Sequence, residues 1–309
     1  MIQTENKVVY KAFDLSIASG MELPELPVIH RSTGRADVEI IVDPAARFGA
    51  GLESRPYYHD VRNGEVTFHV PGNANYSIRE GRVITVAPLP SADEGLTRLY
   101  VLGTCMGALL MQRRKYPLHG SAVAIGGKAY AIVGESGAGK STLASAFIQA
   151  GYTLVSDDLI SVSLSPVDET AVITPSFPQQ KLWRESLEQF GMETGTYRSI
   201  YGRETKYSVP VATHYCAQPL PLGGVIELVK TEEPEVSIHP ISKLDRLQTL
   251  FRHTFRHFLI PRLGLMEWHF QTSAAIAGQA AMFQLRRPAG GFTAPQLVSL
   301  LLENLRMEE

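Results

Sequence analysis

One nine-residue stretch constrains this chain more than any other, because it follows the phosphate-cradling pattern G-x-x-x-x-G-K-[ST]. An apolar segment, residues 128–133, precedes it, and a helix-compatible segment closed by Gly151 follows it. In a strand–loop–helix context, backbone N–H groups and the helix N-terminus converge on phosphate oxygens. The stretch therefore predicts a nucleotide-binding loop, and its residues are Gly134, Glu135, Ser136, Gly137, Ala138, Gly139, Lys140, Ser141 and Thr142.

Two side chains of this loop have predicted chemical tasks. The Lys140 ammonium is expected to reach the outer phosphates of the nucleotide, and the Ser141 hydroxyl is expected to be a ligand of Mg²⁺. Phosphoryl transfer mainly requires positioning and charge neutralisation, and the loop supplies both.

Length and composition indicate a globular protein that binds neither nucleic acid nor a membrane. The 309 residues suffice for one large domain or two ordinary ones, and 44% of them are hydrophobic. A net charge of −2 gives no general reason to expect a nucleic acid or an anionic membrane as a partner. Cys105 and Cys216 have no metal-ligand spacing and the N-terminus has no signal-peptide core, so we expect a cytoplasmic protein. A homo-oligomer is compatible with the sequence, which leaves the oligomeric state open.

Residues 1–90 are predicted to form a small β-rich N-terminal domain, and residues 91–309 the domain that carries the loop. Strand-like segments at 38–42, 66–70, 76–79 and 83–86 are separated by Pro, Gly and Asn, with Glu80-Gly81 as a hairpin turn. Ser91 and Glu94 form a capping-box pattern that predicts a helix over about 93–114. Its apolar run, 101–111, is shorter than the roughly 18 residues of a membrane span.

The segments around the loop predict its three-dimensional surroundings. Two apolar runs, 119–125 and 128–133, are separated by Gly126-Gly127, which is typical of a two-residue hairpin. In that hairpin His119 lies opposite Gly134. A strand over 152–156 is expected to complete a βαβ unit and to end at two aspartates, Asp157 and Asp158, at the edge where ligands of such sheets bind.

The histidine and the two aspartates are therefore candidate catalytic residues. Asp157 and Asp158 are predicted to supply a metal carboxylate and a general base, and His119 to tune or shuttle protons. Two solvated aspartates at a strand end, and a structural histidine, are the alternatives. Arg203 and Lys206 in the following loop are predicted phosphate contacts.

His253 and His257 are spaced i, i+4 on a predicted helix, which is the spacing of a metal chelate. A solvated cationic face is the interpretation we prefer, because no third ligand accompanies them. Further strands are predicted at 162–164, 172–173 and 223–229, and further helices at 181–190, 241–259 and 293–307.

The stretch from residue 118 to residue 158 closely resembles the catalytic core of HPr kinase/phosphorylase and related serine kinases. The resemblance lies in LHGSAV (118–123), GESGAGKST (134–142) and GYTLVSDD (151–158), at matching spacing. The later segments QKLWRESL (180–187) and KYSVP (206–210) are similar too. This resemblance implies an α/β fold with a P-loop core of the HPr kinase-like, or PEP carboxykinase-like, type beside the β-rich N-terminal domain.

The resemblance also implies roles. ATP would bind the loop, Lys140 would contact the transferred phosphate, Ser141 and Asp158 would hold Mg²⁺, and Asp157 would act as base toward a substrate serine. Asp158 and His119 would support it.

The substrate implied by the resemblance is a peptide or protein that carries a serine. The glycine-rich signature of bifunctional HPr kinase/phosphorylases, with its leucine-phenylalanine-glycine ending, is absent from the sequence. The layout resembles lasso-peptide precursor kinases, so the terminal serine of such a precursor is the best single expectation. A free-serine kinase and a bifunctional HPr kinase/phosphorylase are the alternative enzymes. An ATP-binding regulator is the non-enzymatic alternative.

Overall fold

The computed structural model describes residues 7–30, 34–49, 51–200 and 203–307, with the side chains of 203 and 204 left out. Its N-terminal part is a seven-stranded sheet in the order β1-β2-β3-β7-β6-β5-β4. The pairs β2–β3 and β3–β7 are parallel and the others antiparallel. The strands are β1 (Val8–Ala12), β2 (Leu15–Ser19), β3 (Val38–Val42), β4 (His59–Arg62), β5 (Glu65–Val70), β6 (Ala74–Arg79) and β7 (Val83–Pro88).

The four strand segments predicted for this part are confirmed, and so is the turn between the last two. Glu80 and Gly81 have φ values of 55° and 59°, which lie in the left-handed region and reverse the chain between β6 and β7. Alternate side chains of these strands are buried, as the period-two pattern requires.

A broken helix connects this sheet to the rest of the chain. It consists of α1 (Glu94–Tyr100), a π-helical turn (Val101–Cys105) and α2 (Met106–Gln112). The predicted capping box is wrong: Asp93 caps α1 by accepting from the Leu96 N–H, and the Ser91 hydroxyl donates to the Gly72 carbonyl instead. The buried face of this helix packs in the same core as the N-terminal sheet. The boundary at residues 90 and 91 stays a prediction.

The remaining strands form two sheets. Their ranges are β8 (Tyr116–Ile125), β9 (Lys128–Val133), β10 (Thr153–Leu164), β11 (Ala171–Thr174), β12 (Gln179–Trp183), β13 (Arg198–Ile200), β14 (Arg203–Pro210), β15 (Leu220–Thr231), β16 (Ser237–Pro240) and β17 (Ala281–Pro288). The larger sheet has the order β11-β10-β8-β9-β15-β17-β16, with an additional β11–β15 pairing. The smaller sheet has the order β12-β14-β13.

The predicted hairpin is confirmed. Ile125 pairs with Lys128 and Gly120 with Val133, and the turn glycines 126 and 127 have positive φ. The helix after the loop, α3 (Lys140–Gln149), ends before Gly151 as predicted. Strand β10 runs parallel to β9, but β8 lies between them. The crossover therefore spans one intervening strand.

Other predicted boundaries are wrong. The strand predicted to end at Ser156 continues to Leu164, so the two aspartates lie inside β10. Residues 179–183 are strand, and only α4 (Arg184–Gln189) of the predicted helix at 181–190 is helical. The helix predicted over 241–259 is divided into α5 (Lys243–Arg252) and α6 (Leu259–Arg262), and α7 (Met266–Gln279) was not predicted.

The final helix, α8 (Ala294–Met307), is confirmed. Among the described residues, no helix has both the length and the apolar character that a membrane crossing requires. The mixed α/β class with a β-rich N-terminal part is thus established, and the phosphate-loop motif lies between β9 and α3.

Candidate active site

The nine-residue loop has the geometry of a phosphate cradle. Gly139 is the N-cap of α3 with φ 107°, and Gly134 has φ 149°. A Cβ at Gly134 would lie 2.4 Å from the Leu228 carbonyl oxygen, so a side chain has no room there. The Lys140 ammonium donates to the carbonyls of Gly134 and Glu135 at 2.9 and 3.0 Å, and is therefore folded over the loop.

Asp157 ties the loop to the neighbouring strands. Its Oδ1 accepts from the hydroxyls of Ser121 and Ser141, at 2.5 and 2.9 Å, and its Oδ2 accepts from the Lys181 backbone N–H at 2.7 Å. The side chain is buried. These three donors hold one carboxylate against the hydroxyl that is predicted to bind Mg²⁺.

Asp158 points to a different set of groups. The Lys181 ammonium lies 2.6 Å from its Oδ2, and His119 Nδ1 lies 3.0 Å from its backbone carbonyl oxygen. Its φ of 69° is in the left-handed region, which turns the strand locally and changes the direction of its side chain. Burial raises the pKa of Asp158, but Lys181, His119 and Lys206 together outweigh this effect and hold that pKa well below its usual range.

His119 is poised as a neutral imidazole. Burial lowers its pKa, and this effect outweighs the opposing attraction of Asp158. Because the Asp158 carbonyl only accepts hydrogen bonds, Nδ1 must carry the proton in that contact. The Nε2 lone pair of the neutral ring is then available to take a proton. Burial also lowers the pKa of Lys140, against the attraction of Asp158 and Asp157.

His119, Lys140, Ser141 and Asp158 line one cleft of about 600 Å³, which we call the large cleft. Its charged and titratable lining includes His119, Lys140, Asp158, Lys181, Glu185, Lys206, Lys230 and Arg287. The excess of cations over carboxylates suits a polyphosphate. Arg287 also donates to the Ala138 carbonyl at 2.8 Å and so braces the loop from β17.

The hydroxyl and carboxylate beside the loop fit Mg²⁺, which shares its ligands with water and phosphate, better than they fit a metal that is bound by protein side chains alone. Among the described residues there is no cluster of three or more His, Cys, Asp or Glu side chains that could hold a metal. Mg²⁺ usually keeps several waters and binds through one or two carboxylates and substrate phosphates. A serine hydroxyl beside a carboxylate, at the mouth of a phosphate cradle, meets that need.

The structure brings together most of the predicted site. His119, Lys140, Ser141, Asp157 and Asp158 meet around the loop, although the carboxylate bonded to Ser141 is that of Asp157 rather than Asp158. Lys206 lines the large cleft, with its ammonium 5.3 Å from the centre of the Trp183 ring. The side chain of Arg203 lies outside the described residues.

Sequence reasoning missed three contributors: Lys181, Ser121 and Arg287. Lys181 lay in a segment predicted to be helical, so its contact with Asp158 was hidden. Ser121 lies opposite Asp157 in the β8–β10 ladder, a register that the predicted strand end concealed. Arg287 lies on a strand far along the chain, and no local pattern signals it.

The predicted solvated face with His253 and His257 is wrong. His253 is buried and its Nε2 lies 2.8 Å from Glu227 Oε1, so it is not free to form a chelate or a cationic face. Helix α5 ends at Arg252, which leaves His257 beyond it. The hydrogen bond from His253 is the main reason that the pKa of Glu227 is lowered.

Comparisons with known proteins agree with the motif. Over 64 residues, the chain is 41% identical to the HPr kinase/phosphorylase of Mycoplasmopsis pulmonis. Over this segment the chain is similar to an HPr kinase/phosphorylase. The match covers 20% of this chain and 21% of that protein, so the chain spans about a fifth of the relative's length.

The other comparisons are weaker. A solved structure of the Hpr(Ser) kinase/phosphatase from Coxiella burnetii aligns with a TM-score of 0.33 and 16% identity, over 62% of this chain and 97% of the other. No family model matches. The resemblance to HPr kinase/phosphorylase is confirmed, and the lasso-peptide subtype stays a prediction.

Proposed function

We propose that this chain is an Mg-ATP-dependent kinase that transfers the γ-phosphoryl group to a serine of a peptide or protein. One observation carries the proposal: a single hydrogen bond, from Ser141 to Asp157, joins the phosphate loop to the aspartate pair. A protein that only binds Mg-ATP needs the loop and one carboxylate for the metal, whereas a kinase also needs a second group for the acceptor hydroxyl, and the pair provides two carboxylates.

On the donor side, the loop backbone and Lys140 would neutralise the phosphates, and the Lys140 ammonium would exchange its two carbonyl contacts for phosphate oxygens. Bound Mg²⁺ would supply further charge neutralisation between the phosphates. Ser141 and Asp158 would hold it, as the sequence predicts, although the carboxylate that is hydrogen-bonded to Ser141 without the metal is that of Asp157.

On the acceptor side, we propose that Asp157 takes the proton of the serine hydroxyl. The serine oxygen forms a bond to the γ-phosphorus, and the bond from that phosphorus to the β,γ-bridging oxygen breaks to release ADP. Asp158 holds Lys181 near the developing charge, and His119 Nε2 is able to accept the proton onward to solvent.

For the acceptor, we propose the terminal serine of a modified-peptide precursor of the lasso type, which rests on the sequence resemblance. Residues 1–90 would then act as a recognition or assembly unit and residues 91–309 as the kinase domain. A cytoplasmic location accords with an ATP-dependent reaction.

Labelled ATP tests this proposal directly. We expect the chain, with Mg²⁺, to move the γ-label to serine of a candidate peptide. Label on free serine would indicate the small-molecule kinase. Label that is first transferred to HPr and then released from it by the same chain would indicate the bifunctional enzyme. Label on inorganic phosphate alone, with every acceptor, would refute the kinase and support an ATP-binding regulator.

A further inference from the structure

A second cavity lies on the other side of the aspartate pair. Its volume is about 70 Å³, and Asp157 lines it, whereas Asp158 lines the large cleft and Lys181 lines both. The two cavities therefore meet where an acceptor hydroxyl must approach the phosphate. Building on the proposed kinase function, we propose that this small cavity is the acceptor subsite and takes a serine with a carboxylate next to it.

Three parts of the chain contribute to the walls of the cavity in addition to the segments that carry Asp157, Lys181 and Ser208. Glu25 lies in the N-terminal part, Arg98 lies on α1, and Arg198 and Ser199 lie on β13. The β-rich N-terminal part and the helix that follows it thus form one side of the subsite. This placement gives the N-terminal part a task in acceptor recognition.

The charges of the lining select an anionic group. Arg98 is engaged, because its Nε donates to Glu25 Oε1 at 2.9 Å, and Lys181 is engaged by Asp158. Within the part of the chain that the structure describes, the Arg198 side chain makes no ion pair and no hydrogen bond. Its guanidinium is free to bind a carboxylate through two N–H groups.

Glu25 supplies a complementary feature. Its Oε2 is buried and has no hydrogen-bond partner among the described residues. A buried acceptor without a donor is unfavourable, and a peptide N–H of a ligand would satisfy it. A group the size of a water molecule needs about 30 Å³, so the cavity holds only a few such groups. A hydroxyl, an N–H and a carboxylate within that space describe one amino-acid residue.

The carboxylate has two potential sources: the end of a chain that terminates in serine, or an acidic side chain that follows the serine. Three probes separate them: N-acetyl-L-serine, N-acetyl-L-serine amide and N-acetyl-Ser-Asp amide. Each is tested with Mg-ATP for label transfer and for its effect on the melting temperature of the protein. Arg198→Gln is the test variant, and Arg306→Gln, an exposed arginine in the last turn of α8, is the matched control.

We expect N-acetyl-L-serine to be used at least tenfold better than its amide, as kcat/KM, because the site would leave Arg198 unpaired with the amide. A tenfold excess over Kd should raise the melting temperature by about 3 °C. Arg198→Gln should reduce both preferences to less than twofold, and Arg306→Gln should retain them. Glu25→Gln should weaken all three probes, because an amide N–H₂ would then be able to face the ligand N–H.

The outcomes separate the subsite from the kinase activity. Transfer that is equal for the acid and the amide overturns the subsite and leaves the kinase standing. A carboxylate-dependent thermal shift that is lost in Arg198→Gln, without transfer to any probe, supports the subsite and leaves the kinase activity to the labelled-peptide test. The absence of both transfer and a thermal shift overturns the subsite. Better use of the Ser-Asp probe than of N-acetyl-L-serine assigns the carboxylate to a side chain.

Discussion

Asp157→Asn isolates the charge of the proposed base, because its surroundings tolerate an amide. With the amide oxygen toward the Lys181 N–H, the N–H₂ group faces the hydroxyls of Ser121 and Ser141, which accept as well as donate. Every buried polar atom keeps a partner. The loss is limited to the charge-assisted part of these bonds, which amounts to about 1 kcal/mol and a fall of roughly 2–4 °C in melting temperature.

The effect on catalysis should be far larger than the effect on stability. Removing a positioned base lowers the rate by about 10²–10⁴-fold. We therefore expect transfer of label from γ-labelled ATP to the acceptor to collapse, while the affinity for ATP changes less than threefold. Ser121→Ala is the matched variant: it removes one donor to the same carboxylate but keeps the charge, and should cost less than tenfold in rate.

Two results would refute this reasoning. Equal transfer rates for Asp157→Asn and the parent would remove Asp157 from the base role. A tenfold rise in the Mg²⁺ concentration needed for half-maximal activity, with the rate restored at high Mg²⁺, would make Asp157 the metal carboxylate through its contact with Ser141. The same titration on Asp158→Asn then shows which carboxylate serves the metal.

Three further predictions follow from the geometry. Because the pKa of His119 is lowered from 6.5, its imidazole stays neutral below that pH. The decrease of kcat on the acid side of the pH profile should therefore have its midpoint below pH 6.5, and this decrease should disappear in His119→Asn. Burial, with Arg256 adding repulsion, lowers the pKa of His59 to about 4, so the folded protein binds this proton less readily than the unfolded chain. The contribution of His59 to stability should therefore fall by roughly 3 kcal/mol as pH falls from 6.5 to 4, and His59→Gln, but not the exposed His239→Gln, should reduce the total loss by that amount, measured by urea unfolding. His269, whose pKa burial also lowers to about 4, keeps its own contribution in both variants. Gly120→Ala should unfold the protein more readily, by several degrees in a thermal melt, because its Cβ would lie 2.1 Å from the Ile132 carbonyl oxygen; an unchanged melting temperature would contradict this packing.

The hairpin and the phosphate loop were predictable because the length of a hairpin turn determines which residues of its two strands pair. Two glycines between apolar runs fix which residues face each other, and the ladder from Ile125–Lys128 to Gly120–Val133 follows that rule. The loop and the start of its helix are likewise set by glycines at positive φ. Interactions of this kind depend on neighbours within about 15 residues, which a sequence displays directly.

The rest depends on distant partners. Asp157 and Asp158 look like a strand end, but their strand continues because β8 offers a partner on one side as far as Val162. Lys181 lies in a strand only because β14, some 25 residues later, pairs with β12. Charged residues inside a strand contradict local propensity, and such conflicts are expected at functional sites.

His253, which was predicted to lie on a solvated cationic face, instead supports the site through a buried hydrogen bond. Its backbone carbonyl accepts from the His119 N–H, and its imidazole is held by Glu227 on β15. β15 in turn pairs with β9, where Glu227 lies opposite Val133, the residue before the loop. The same buried contact between His253 and Glu227 thus fixes His119 on one strand and the start of the phosphate loop on another. A change at His253 would move the two edges of the cleft together, and so its burial matters to the site although it touches none of the reacting groups.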